Sequence, residues 1–193
     1  MRGILSAKRC EEIKQEVVYM FEEAGIHSYP IDCFEIATKL HYILRPYSTL
    51  SRDEKRKAYL TDPDGFSRVE ENMTTGLFEY VIYYNDTKAN KGRLRWTIFH
   101  EIGHIYLGHH DNQDESLSDI EEAEADFFAK NAIAPLPLVH ELRCHCAKDI
   151  QEAFQTSTEA SQNIYDYYNK WKLYGPYEYV DFEWALLRLF YVA

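Results

Sequence analysis

The stretch RWTIFHEIGHIYLGHH, residues 95–110, sets four histidines and a glutamate into a segment that is otherwise apolar and helical in period. Such a cluster is either a packing oddity or a metal site. His100-Glu101-x-x-His104 places two imidazoles four residues apart, one turn from each other on the same helix face. Two nitrogens at that spacing can share one tetrahedral zinc ion. Glu101, the next residue along, points to one side of the metal, where it can take a proton from the attacking water and pass it to a leaving amine. Gly103 leaves room for close backbone approach in a crowded helix, although glycine there costs about 1 kcal/mol of helix propensity.

Two histidines and a water leave one ligand position for the rest of the chain. The segment EEAEAD, residues 121–126, supplies it. Glu122 and Asp126 lie four apart on a second helix and share a face. One can bind the metal while the other accepts the free N–H of a ligand histidine; Glu121 and Glu124 point elsewhere. Zinc suits two nitrogens and a carboxylate in a tetrahedron, and manganese or iron(II) can occupy the same ligands.

The chain has 193 residues, enough for one domain with a real core, and its 46% hydrophobic content gives that core its material. A formal net charge of -11 argues against a general electrostatic grip on nucleic acid or on an anionic membrane. Cys10, Cys33, Cys144 and Cys146 show no disulfide-framework spacing and read as free thiols. The N-terminus turns charged after three apolar residues, too early for a signal peptide, and no run is long enough to span a bilayer. The expected compartment is the cytoplasm.

Working outward from the motif, residues 6–24 form a first helix with Ile13, Val17, Met20 and Phe21 inward, Ser6 as cap and Gly25 as stop. A short second helix around residues 31–40 runs into an extended YILRPY. Residues 51–76 read as a polar loop between strands, with DPDG (62–65) as a turn. Residues 76–86 are a strand, with Phe78, Tyr80, Ile82 and Tyr84 on one side and Glu79, Val81 and Tyr83 on the other. TKANKGR is a loop; a helix follows from Leu94 to about Leu107, where Gly108 stops it. The acidic stretch after it turns the chain so that the Glu122 helix can meet it. Further short helices follow to residue 172, and an aromatic tail, residues 173–193, packs back on the domain. The class is α+β and mostly helical.

RWTIFHEIGHIYLGHH followed by EEAEADFFAKNAIAP resembles the ImmA/IrrE family of bacterial and phage metallopeptidases, with the upstream strand YVIYYND and the two leading helices in matching places. The resemblance covers roughly residues 10–170. It departs at AIAP, residues 132–135, and has no counterpart for residues 51–76 or for the tail after Trp171. It implies a zincin-like domain over residues 1–172, with a small curved β-sheet packed on the active-site helices. It further implies His100, His104 and Glu122 as zinc ligands, Glu101 as general base and Asp126 as the residue that orients a histidine. The implied activity is a zinc-dependent endopeptidase acting on a protein substrate, a helix-turn-helix repressor of a mobile element or stress response. By the same analogy strand 77–84, with Tyr80, Val81 and Tyr83, pairs with an extended substrate.

A competing reading is a non-catalytic zinc-containing protein that regulates a partner, as in a toxin-antitoxin-like pair. His109, His110 and Asp111 read as solvated groups at a helix end. Cys144-His145-Cys146 reads as structural, because alternate residues on a helix point apart. Residues 138–172 hold a helix-turn-helix-like segment whose seam is Ile150, Phe154, Ala160, Ile164 and Tyr168. Its second helix offers only Lys170 against Glu159 and Asp166, so DNA binding is disfavoured. Tyr80, Tyr83, Tyr84 and His140 are the candidates for stabilising an oxyanion.

Overall fold

A computed structural model describes residues 3–88, 90–111, 118–175 and 177–192. The fold is α+β and mostly helical, with a small three-stranded mixed sheet. Helix α1 (Ala7–Ala24) starts where the Ser6 side chain accepts the Arg9 N–H and ends where Gly25 turns to φ 59. Its apolar stripe, Ile13, Val17, Met20 and Phe21, is buried. Helix α2 (Cys33–Lys39), capped by Asp32, leads through a left-handed His41 into strand β1 (Ile43–Pro46).

Residues 51–76 are not a loop. They form helix α3 (Arg52–Thr61) and strand β2 (Gly65–Glu71). Ser51 and Glu54 make a reciprocal capping box that starts α3. DPDG does turn the chain, but from a helix into a strand: the Asp62 side chain accepts the N–H groups of Asp64 and Gly65. High polarity hid both elements, because α3 buries only Ala58 and β2 is half exposed.

Strand β3 (Phe78–Tyr84) is the centre of the sheet, in the order β1-β3-β2, parallel to β1 and antiparallel to β2. The alternation read from the sequence is present, and both faces are covered. Ile82 enters the main core under helix α4 (Lys91–Tyr106), whereas Val81 and Tyr83 join a smaller cluster with Tyr47 and Ala58. Helix α4 begins within the expected TKANKGR loop, since the Asn90 side chain accepts the Arg93 N–H at 3.1 Å.

Helix α5 (Asp119–Ile133) opens with a second capping box, Ser118 with Glu121. It packs along α4 through Phe128, Ala129 and Ala132 against Ile98, Phe99 and Ile102, all fully buried. Each such large apolar side chain contributes about 1.5–3 kcal/mol relative to exposure. Gly103 is a point of close approach between the two helices, as a Cβ there would lie 3.1 Å from the Phe128 ring. Helices α6 (Leu136–Glu141), α7 (Ala147–Phe154), α8 (Thr158–Tyr174) and α9 (Asp181–Tyr191) complete the helical layer. Of the predicted seam Ile150, Phe154, Ile164 and Tyr168 are buried and Ala160 is partly buried, and Leu186 and Leu187 of α9 reach the same core. Cys144-His145-Cys146 lies in the turn before α7 and not on a helix; Cys144 is buried and Cys146 exposed. Among the described residues, no helix is long and apolar enough to cross a membrane.

Candidate metal centre and active site

Helices α4 and α5 bring His100, His104 and Glu122 together, with one ligand atom from each within 4.8 Å of the others. The Nε2 atoms of His100 and His104 lie 3.0 Å apart. Glu122 Oε2 is 3.5 Å from His100 Nε2, and Glu122 Oε1 is 3.5 Å from His104 Nε2. A tetrahedral zinc site with bonds of about 2.0–2.1 Å has ligand-to-ligand edges of about 3.4 Å. The three separations therefore fit a single small cation without rearrangement of the helices.

Electrostatics point the same way. Burial opposes charge on His100, but hydrogen bonds to Asp126 and Glu122, with Glu101 nearby, overturn it and carry the ring up to about 10. His104 goes the other way, pushed down to about 2 by burial and by the neighbouring His100, His109 and His110 rings. The Glu122 and Asp126 carboxylates beside the two facing imidazoles favour positive charge at this point.

Asp126 Oδ1 lies 3.1 Å from His100 Nδ1, on the side of the ring away from the shared point. That contact fixes the ring and leaves Nε2 to face the cation. Glu101 is buried, and burial pushes its carboxyl above the usual range while His100 and the Ser67 hydroxyl pull it back. Ser67 Oγ, from β2, donates to Glu101 Oε2 at 2.7 Å and lies 2.9 Å from His110 Nε2.

His109 and His110 are not solvated. The chain turns at Gly108, with φ 74, and a short 3-10 turn folds both rings back onto the site. His109 Nδ1 is 2.9 Å from His104 Nδ1, and His109 Nε2 is 3.1 Å from Glu124 Oε2. Arg9 clamps that carboxylate, with Nε and Nη2 each at 2.7 Å from one oxygen. Glu124 is consequently held below the usual carboxylate range, by the Arg9 hydrogen bond above all. Glu124 faces away from Glu122 and Asp126, as its position on the helix predicts, yet reaches the site from behind.

A cleft of about 480 Å³ opens over His100 and Glu101, lined also by Asp64, Arg93, Trp96 and Lys130. Strand β3 does not offer it an edge, because both of its edges are taken by β1 and β2. Val81 and Tyr83 point to the sheet face away from α4, where the Tyr83 hydroxyl donates to Glu70 and accepts from Arg45 and Arg68. Tyr80 packs on Tyr42 and the His110 ring. The edge strand beside Glu101 is β2. Hydrogen bonds from Asn85 N to Asp64 O and from Asn72 N to Leu77 O fix the antiparallel alternation, so Ser67 and Val69 turn their backbone groups outward. Of the oxyanion candidates, Tyr84 packs on Phe34 and His140 sits among Tyr168, Trp171 and Tyr179; neither lines the cleft.

Ser67, His109 and Glu124 escape a reading of the sequence. The alternation in GFSRVEE is the available signal for Ser67; for His109 it is Gly108, which both stops the helix and reverses the chain.

No curated protein matches the chain. Residues 46–135, from the end of β1 through the Glu122 helix, match the family model Peptidase U49, and that match supports a peptide hydrolase.

Proposed function

We propose that the chain is a zinc-dependent endopeptidase. The observation that carries this reading is the convergence of His100 Nε2, His104 Nε2 and the Glu122 carboxylate on one point, beside a buried glutamate and under an open cleft. When bound, the metal would polarise a substrate carbonyl and increase the acidity of water. Glu101 takes the proton of the attacking water and returns it to the leaving amine, and its buried setting raises its basicity toward neutral pH. Asp126 orients His100, and Ser67 orients Glu101. An extended substrate segment pairs with the outward backbone groups of β2, across the front of Glu101.

The resemblance to the ImmA/IrrE metallopeptidases supports a cytoplasmic protein substrate, a repressor of the helix-turn-helix type. The test is zinc content together with cleavage of candidate repressors. Wild type should hold about one zinc per chain, His104→Ala and Glu122→Ala should lose it, and Glu101→Gln should keep zinc and lose turnover. A Glu101→Gln variant as active in the cell as wild type would instead establish a binding protein, which has no use for a base there.

A further inference from the structure

We propose that His109, Glu124 and Arg9 form a positioning chain that holds His104 in the Nδ1–H tautomer, the one form that turns a lone pair at Nε2 toward the metal point. The inference rests on the zinc-site reading above and deepens it.

The geometry dictates the order of donors and acceptors. Arg9 donates to both oxygens of Glu124 at 2.7 Å, a bidentate clamp that keeps the group a carboxylate and hence an acceptor toward His109. His109 Nε2, 3.1 Å from Glu124 Oε2, must then carry the ring hydrogen. With one ring hydrogen on His109, held at Nε2, His109 Nδ1 is the acceptor and its partner at 2.9 Å, His104 Nδ1, the donor. His104 is left with a free lone pair at Nε2, directed at His100 Nε2 and Glu122.

Burial gives the chain its force. The His104 side chain is 1% exposed and that of His109 5%, so water cannot replace a lost partner at either ring. The two ligand histidines are thus braced by different means. His100 leans on Asp126 directly, within the α4–α5 pair, whereas His104 is braced through a second histidine and Glu124 to Arg9 of α1, 115 residues before Glu124 in the sequence. Helix α1 becomes part of the metal site without touching it.

The experiment uses the full chain and two independent readouts. In zinc-free wild type, long-range 1H–15N correlation of the imidazoles should report His104 as the Nδ1–H tautomer. Zinc affinity, measured by competition with a chromophoric chelator, should fall about 10–100-fold in His109→Ala. His109→Asn, whose amide oxygen can stand where Nδ1 stood, should recover most of that loss. His109→Gln, which reaches Glu124 but not His104, should not. An Nε2–H tautomer in wild type, or His109→Ala within about threefold of wild-type affinity, overturns the proposal. If His109→Ala does not fold, the wild-type tautomer and the Asn–Gln contrast still decide it. Failure of wild type to bind zinc would sink the metal reading, while the tautomer spectrum would still show whether the positioning chain exists.

Discussion

Ser67 donates its hydroxyl to Glu101 across 2.7 Å, so a residue of the edge strand touches the carboxylate of the motif helix. A hydrogen bond to a charged group is worth about 1.5–3 kcal/mol. Ser67→Ala should therefore lower kcat at neutral pH by roughly tenfold or more, while zinc per chain stays at the wild-type level, since Ser67 touches no ligand. Turnover and elemental analysis on one preparation check this; kcat within twofold of wild type would remove Ser67 from the machinery.

Proline scanning separates the edge strand from the central one. Val69→Pro removes an outward N–H that no ladder bond uses, so the sheet should survive, zinc should stay bound, and kcat/KM for a protein substrate should fall at least about tenfold. Tyr83→Pro removes an N–H bonded to β2 and should destabilise the whole domain. Circular dichroism beside kinetics distinguishes the two, and full activity in Val69→Pro would exclude β2 as the pairing edge.

Gly103→Ala tests how closely α4 must approach α5. The added methyl would lie 3.1–3.3 Å from Cδ1, Cβ and Cγ of Phe128, which is fully buried and would have to shift by a few tenths of an ångström. Overpacking of about 1–3 kcal/mol outweighs the roughly 1 kcal/mol gained in helix propensity. The expected result is a lower Tm together with weaker zinc binding, as Glu122 is pushed away from the two imidazoles. An unchanged or raised Tm would show that the interface relaxes freely.

Asp64, in the lining of the cleft, gives a pH signature of its own. Its carboxylate is held below the ordinary value by Arg93 first, with Lys88 adding to the effect. A depressed folded-state pKa contributes stability that is fully present above the unfolded value, near 3.8, and that is lost as pH falls through the folded value. Solvent screening of these partly exposed pairs limits the contribution to at most about 1 kcal/mol. Asp64→Asn should thus lower Tm by up to about 2–4 °C at neutral pH, and wild type and variant should converge in acid. A deficit that persists unchanged at low pH would assign the effect to packing.

The local order of the α4–α5 pair is legible in the sequence because periodicity, caps and ligand spacing all act over a few residues. His100, His104, Glu122 and Asp126 converge as the four-residue spacing on two helices requires. What stays hidden is what depends on the sheet order and on distant partners. A strand with alternating faces looks the same at an edge as in the middle, so nothing in the pattern of Tyr80, Val81 and Tyr83 shows that β3 is the central strand and β2 an edge. The polar α3 and β2 carry too little apolar surface to announce themselves. Arg9 reaches Glu124 over a sequence separation of 115, and no local pattern encodes that contact.

The three side chains of the candidate metal site differ sharply in access: His104 is 1% exposed, His100 16% and Glu122 45%. On the proposed reading, this gradient sets an order of events for metal exchange. Water and a chelator reach the exposed carboxylate most easily, so it lets go first and His104 last. The lifetime of the bound ion is then governed by its most mobile ligand, while the affinity is dominated by its most buried one.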